Sequence, residues 1–576
     1  MKERTLSDHD KELIAKISRD NKALHIEKDR MRAIYVQLSR YIKPSRSGWS
    51  FETQTDDDFG KYIFDGEAIS DKNRMADGLF GQMVSPSIDW LNFAPRDDKA
   101  KEDPEVQKYA HALKLHMMDT FSKSNFYDAV AEGLDDGTVF GTVVTIVSDN
   151  KEEKKPVFET LHLREILISE NRFGHVDLLH REFEMSFRQM IEEFGEDILT
   201  AEELKKAKDN MEKKVRVLHA TYPRSYPGDT DNAVQIDINK PIASIYLFCG
   251  ESIEGTDDQK PQFILREGGF DYQHFSAWRF KKYAGMTYGG SPSMDALFDV
   301  KMMNMQAKTM ADVAQLAARP PMEATLSMKG NIRIAPGGIT YKTGDQEIRP
   351  VMTTISYPLG IDSMERRSKI LKEHFKADYF MSMAQMQGSR DRTATEIMEM
   401  KAQSAAVMGP MVGRIQSEYL EPLIMTSMKI ELAAGRLPEL PEGMDPSIIM
   451  AMEFVGPLAQ AQKKYLVKQG IEQGLQAAFG VAQGDPSTIL NFDLNYAARE
   501  LVRVAGFPPE GIVSPEEAKK RQQAQAEAQE KAKQEQLEIE RAKATPAAGT
   551  APDPGSPLGN KMGVKQVSSG NNQLRK

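Results

Sequence analysis

Apolar and polar positions repeat with two different periods along this chain, and the helical repeat it is organised around lies between Ser291 and Arg319. At 100° per residue its apolar positions fall into two stripes. Ala296, Val300, Met303, Ala307, Met310 and Ala314 form the first; Phe298, Met302, Met305, Val313 and Leu316 form the second. Lys301, Asn304, Lys308, Asp312, Gln315 and Arg319 make a polar stripe between them. Ser291 is placed to cap the helix, with Pro292 at its first position and Asp295 in its first turn. Pro320-Pro321 stop it, so it predicts a rod roughly 40 Å long. Two apolar stripes suit a helix wedged between neighbours with its third face on water. A helix buried in a large monomeric core is the other reading.

The same reading predicts an α+β first half. Helices are expected over Asp10–Ile42, Gly66–Met83 and Pro104–Ser122, with a short strand Asp89–Ala94 between the last two. Gly137–Val147 is β-branched and reads as a strand, and further strands alternate from Val157 to Phe183. Helices follow at Phe187–Phe194 and Ala201–Lys213, then strands Val215–Tyr222, Ile242–Phe248 and Gln262–Glu267. Beyond Pro321, short β segments are expected at Met322–Leu326, Ile332–Ala335, Ile339–Lys342 and Glu347–Met352. A second helix, Ile361–Phe380, precedes the loop Ser382–Arg392, which holds no β-branched or aromatic residue. Thr393 and Glu396 form a capping box for a long third helix, bent at Gly409-Pro410 and Pro422 and ended by Gly435. Helices Pro457–Phe479 and Phe492–Ala505 follow. After Ser514 comes a helix of Ala, Gln, Glu, Lys and Arg with one thin stripe, and after Ala544 a tail expected to be disordered.

Composition narrows the classes. The chain has 576 residues, 40% hydrophobic and 28% charged, with a net charge of −10. No apolar run is long enough to span a bilayer, and the polar N-terminus has no signal-peptide core, so no membrane partner is expected. The lone Cys249 has no partner for an internal disulfide and fits a reducing origin. An acidic balance argues against tight non-specific DNA binding but permits contact with DNA that slides. No phosphate-binding loop, nucleophile elbow or paired-histidine zinc motif is present. The ten histidines are scattered, and Asp56-Asp57-Asp58 and Asp135-Asp136 read as solvated acids. No catalytic residue, metal or cofactor is expected.

Several blocks carry a family resemblance: Ile63–Pro95, Phe187–Gly195, the Trp278–Asn304 run "WRFKKYAGMTYGGSPSMDALFDVKMMN", and Arg392–Ile424, trailed by "GRLPELP". In these the chain resembles the portal, or head-to-tail connecting, proteins of short-tailed bacteriophages. The resemblance implies a ring, typically of twelve copies, at one capsid vertex of the virion, assembled in the host bacterial cytoplasm. It implies a wing over residues 1–290, stem helices at 291–319 and 359–381, and a clip at 320–358. It further implies a channel loop at 382–392, a kinked helix at 393–440, crown helices at 441–514, a barrel-type helix at 515–544 and a disordered tail at 545–576. Implied partners are further copies of the chain, double-stranded DNA in the channel, a terminase packaging motor, a tail adaptor, and capsid and scaffolding proteins. The candidate channel residues are Gln385, Gln387, Ser389, Arg390 and Arg392. Those for clip docking are Lys329, Arg333, Lys342 and Arg349. Those for the ring interface are Ala296, Val300, Met303, Ala307, Met310 and Val313. An enzyme without a recognisable motif, or a scaffold or tail adaptor that assembles without enclosing DNA, are the competing classes.

Overall fold

The computed structural model describes residues 7–46, 60–96, 104–224, 240–251, 260–319, 322–326, 344, 348–350, 357–380, 408–440, 450–456, 470–471, 473–481 and 491–504, with six isolated positions beyond. The chain divides into two compact units, Met1–Leu466 and Val467–Lys576.

In the first unit, α1 (Asp8–Tyr41) is started by a capping box in which Ser7 and Asp10 each accept the other's backbone N–H. After α2 (Glu67–Met83) and β1 (Leu91–Pro95) come α3 (Pro104–Lys123) and α4 (Phe126–Phe140). Gly141 ends α4 in the left-handed region at φ +75°, where a Cβ would lie 2.6 Å from the backbone of Gly289 and Gly290. Only glycine fits both constraints. This corrects the strand expected over Gly137–Val147: its first four residues finish a helix, and β2 (Thr142–Asn150) begins only beyond the glycine. The β-branched run hid the break, because Val139 is held in α4 by burial rather than by propensity.

β2 is the middle of a three-stranded antiparallel sheet, with β3 (Lys155–Thr160) on one edge and β9 (Phe275–Arg279) on the other. A second sheet is an antiparallel meander of β4 (Ile166–Glu170), β5 (Val176–Ser186), β6 (Lys214–Pro223), β7 (Ile242–Glu251) and β8 (Phe263–Phe270). Period-two alternation divides its faces. Leu218, Ala220, Ala243, Ile245 and Leu247 pack under Ile17 of α1. Val215, Val217, Phe248 and Phe263 pack under α5 (Phe187–Phe194) and α6 (Ala201–Asp209). Polar groups fix α1 to the meander: the Glu182 carboxylate accepts from Asn21 (2.6 Å) and meets His25 (3.0 Å), and Lys28 donates to the carbonyls of Arg164 and Ile166. Burial lowers the Lys28 ammonium to about 8 despite the nearby carboxylates of Glu182, Asp29 and Glu165. Burial also pushes the Cys249 thiol up to about 12, which makes it unreactive.

The main core lies between the three-stranded sheet, α2, α4 and the long C-terminal helix. Trp90, Phe121 and Phe126 stack at one end of it. Residues 408–414 are helical, Ile415–Leu420 forms a π turn, and α9 (Glu421–Ala433) continues the rod. The bend expected at Pro422 thus takes the form of a π turn: proline offers no N–H to the carbonyl of Glu418, and the turn widens in front of it. Gly435, at φ +66°, closes α9 with bonds from its own N–H to Leu432 and from Arg436 to Glu431. Thr393, Glu396 and the rest of 393–407 lie outside the described residues. Near the end of the unit, β12 (Met450–Phe454) pairs with β1 across more than three hundred residues of sequence.

In the second unit, residues 473–481 are helical, as is α10 (Leu494–Val504). The barrel-type helix expected at 515–544 and the tail lie outside the described residues apart from isolated positions.

Candidate functional site

The organising helix α7 (Pro292–Ala318) starts as its sequence dictates, with Ser291 Oγ accepting from the Met294 N–H (3.0 Å) and donating to the Val139 carbonyl (2.6 Å). It ties the rod to the body's core at one end. α8 (Tyr357–His374) runs back antiparallel: Gln306 donates to Ser363 (3.0 Å) and Arg367 pairs with Asp299 (2.7 Å). The α8 end carries Leu371 and Phe375 into the main core, and Lys372 and Ser368 hold Glu67 at the start of α2. Nearby on α2, burial raises the Asp71 carboxyl above its ordinary range although Arg74 lies 2.7 Å away.

The two stripes of α7 meet different fates. In the first, Ala296, Val300 and Met303 are 0%, 1% and 3% exposed and belong to the chain's own core. They are therefore not available to a neighbour, which corrects their assignment to a ring interface. Their small or slender side chains let α7 approach the body closely. Of the other ring-interface candidates, Ala307 and Met310 further along this stripe and Val313 on the second are half-buried. In the second stripe, Phe298, Met305 and Leu316 are 68%, 57% and 47% exposed. The polar stripe turns inward at its near end: Asn304 accepts from the backbone N–H groups of Phe64 (2.8 Å) and Asp65 (3.2 Å), Lys301 donates to Gln37 (2.6 Å), and Lys308 sits over the Phe64 ring. The water-facing side is thus apolar at Phe298, Met305 and Leu316. Residue size was the overlooked signal: three of the six positions of the first stripe are Ala, whereas the second has no Ala and holds Phe298, Met302, Met305 and Leu316.

Past α7, β10 (Met322–Ala324) pairs with β11 (Ile348–Pro350) and sets Arg349 opposite Glu323. Lys329, Arg333 and Lys342 lie outside the described residues, as do Gln385, Gln387, Ser389, Arg390 and Arg392. Among the described residues no group of His, Cys, Asp or Glu is placed to hold a metal ion, and no helix is long and apolar enough to cross a membrane.

The family described as bacteriophage head to tail connecting protein matches residues 15–513. A probable portal protein of Bordetella phage BPP-1 is 28% identical over 502 residues, covering 85% of this chain and 87% of that protein. A portal protein of Salmonella phage epsilon15 is 26% identical over 496 residues, covering 84% and 86%. A solved chain titled "Neck of empty GTA particle computed with C6 symmetry" covers 69% of this chain and 85% of its own at 10% identity, but its TM-score of 0.31 carries no argument.

Proposed function

The chain belongs to the bacteriophage head to tail connecting protein family, and from that premise we propose that it is the portal subunit of a phage capsid. Copies close into a ring at one vertex, and the ring encloses the channel through which double-stranded DNA enters and leaves. Twelve is the expected copy number. The α7–α8 hairpin serves as the stem, and residues 320–358 form the clip that meets the packaging motor and the tail adaptor. The loop 382–392 faces the DNA, and the body from α1 to β9 forms the wing. The role is structural, not catalytic.

One observation carries the ring: Phe298, Met305 and Leu316 form an apolar line along the water-facing side of α7, away from the body. Large exposed apolar side chains repeated along one helix face, with Thr309 and Asp312 between the last two, mark an interaction surface. A head-to-tail contact of this kind closes into a ring when its rotation does. The test is mass photometry and negative-stain imaging of purified protein. Wild type should give rings with a central hole, and Met305→Asp should give folded monomers. Wild type that stays monomeric at every concentration overturns the ring. Imaging packaged particles then separates a portal, with DNA in its channel, from a tail adaptor without it.

A further inference from the structure

Where the hairpin meets the body there is a cavity of about 450 Å³. Its wall comes from three places in the sequence: Phe280–Tyr283 and Pro292 ahead of and at the start of α7, His374 and Lys376 at the end of α8, and Met408–Arg414 on the long helix, with Met75 of α2 behind them. The lining divides chemically. Lys281, Lys282, Lys376, Arg414 and His374 supply cationic or donor groups, and no carboxylate is among the described lining residues. Met75, Phe280, Met408 and Met411 supply an apolar wall, and Tyr283 stands half-exposed, its ring packed on Gly290.

Three of the cations are already balanced from outside the cavity. Lys281 pairs with Asp295, Lys282 with Glu170 (2.7 Å), and Arg414 approaches Glu418 at 3.8 Å. The Arg414 atom that approaches Glu418 is Nη1, which is buried and, at that distance, has no hydrogen-bond partner. Lys376 has no carboxylate partner among the described residues. It also interrupts the helix at φ +53°, a left-handed conformation that a non-glycine residue adopts only when its surroundings hold it there. A strained lysine, a buried guanidinium N–H beyond hydrogen-bond distance of its nearest carboxylate, and a lining whose described residues include no carboxylate converge on one place.

We propose that this cavity binds a single nucleotide, its phosphate held by Lys376 and Arg414 and its base against Tyr283, Phe280 and the methionines. Charge-assisted bonds to phosphate and an aromatic or thioether wall for a base are the two elements of single-strand nucleotide recognition. The volume suits one nucleotide and excludes a duplex. The proposal rests on the cavity's geometry and stands whether or not the ring reading does. A free nucleotide and a nucleotide of a single strand share this chemistry and are separated by the probe used.

The test is isothermal titration of the full chain with deoxyadenosine monophosphate, inorganic phosphate, a short oligothymidylate and the corresponding duplex. Deoxyadenosine monophosphate should bind about tenfold tighter than inorganic phosphate, since the base adds stacking. Binding by the monophosphate alone identifies a free nucleotide; binding by oligothymidylate as well identifies a single strand. Lys376→Asn keeps a residue that tolerates the left-handed conformation and removes the charge, so it should stay folded and weaken binding about tenfold. Arg414→Gln should act in the same direction, and Lys369→Gln, on the exposed side of α8, should change nothing. Should Arg414→Gln fail to fold, Lys376→Asn alone decides. Equal affinity for phosphate and monophosphate would leave an adventitious anion site and overturn the proposal. So would binding by the duplex alone, undiminished affinity in Lys376→Asn, or no binding by any probe.

Discussion

The body and the outer half of the α7–α8 hairpin handle apolar surface in opposite ways. Around β2 and β9 the fit is so close that two positions tolerate no side chain. A Cβ on Gly133 would run into the Tyr419 hydroxyl, and one on Gly137 into the Trp278 ring, which itself stacks on Tyr419. Along the outer half of α7, by contrast, Met305 and Leu316 stand in water. One continuous helix passes from the first regime to the second within about three turns. Amphipathic pattern alone does not say whether a stripe is buried by its own chain or by another. What decides is which part of the body lies opposite each turn.

The sharpest break of that comparison is a pair of identical charges. Val300→Asp places a carboxylate in the core with nothing to pair it, and should destabilise the subunit by about 4 kcal/mol or more, enough to prevent folding. Met305→Asp, little more than one turn away, should change monomer stability by less than about 0.5 kcal/mol and act on assembly alone. Chemical denaturation of the monomer and mass photometry of the assembly read the two effects separately. If Val300→Asp folds normally, α7 is not seated as described.

Next in size is the close fit of the body. Gly137→Ala should cost about 3 kcal/mol, because the added methyl must displace a fully buried Trp278 from a stacked aromatic pair. The equivalent Gly81→Ala on α2, where no atom lies within 4 Å of the new Cβ, should be neutral or slightly stabilising. Thermal unfolding of the two variants measures the contrast.

How much of this was legible in the sequence follows the same division. Elements governed by local chemistry could be read directly: the Ser291 cap with Pro292, the helix Phe187–Phe194, and the Gly435 stop all sit where turn and cap residues put them. Elements governed by distant partners could not. β9 and β12 are strands because β2 and β1 lie beside them, and neither stands out in its own sequence. α4 was misread at its C-terminal end because Thr138, Val139 and Phe140 favour strands in isolation and are overruled by packing. On α7 both stripes could be seen and both were expected to face neighbours, but the near part of the first is filled by the chain's own core, since periodicity gives a direction around the helix and not what fills it.

Acid should loosen the body while leaving the apolar stripe of α7 unchanged. Burial lowers the His180 imidazole to about 4 and that of His274 to about 3, so both stay neutral in the folded subunit where the unfolded chain would already be protonated. The sign follows from linkage. A depressed folded value gives stability that is full above about pH 6.5 and is lost as pH falls toward the folded value, because the unfolded state takes up the proton first. From pH 6.5 to 5 each histidine should remove about 2 kcal/mol. His180→Gln should flatten that slope in urea titrations at several pH values. An unchanged slope would mean that His180 is solvated. Phe298, Met305 and Leu316 do not titrate, so ring contacts through them should weaken only as the subunits themselves unfold.

The smallest expected effect lies where the body repairs a defect of its own sequence. Pro422 has no N–H, so the carbonyl of Glu418, four residues earlier, lacks its usual helical partner. The Ser276 hydroxyl, buried on β9, lies 2.8 Å from that carbonyl and 3.1 Å from the carbonyl of Tyr419. The strand thereby caps the π turn in mid-helix. Ser276→Ala should cost about 1 kcal/mol, the usual worth of one buried hydrogen bond, because the carbonyl is left without a donor. Pro422→Ala restores the backbone N–H that an α-helical turn would use. In that background Ser276→Ala should cost clearly less, giving a measurable coupling between the two sites in a double-mutant cycle of urea denaturation. Additive losses would mean that the π turn is set by the packing of Tyr419 and Leu420 rather than by the missing donor, and that the hydroxyl only fills space.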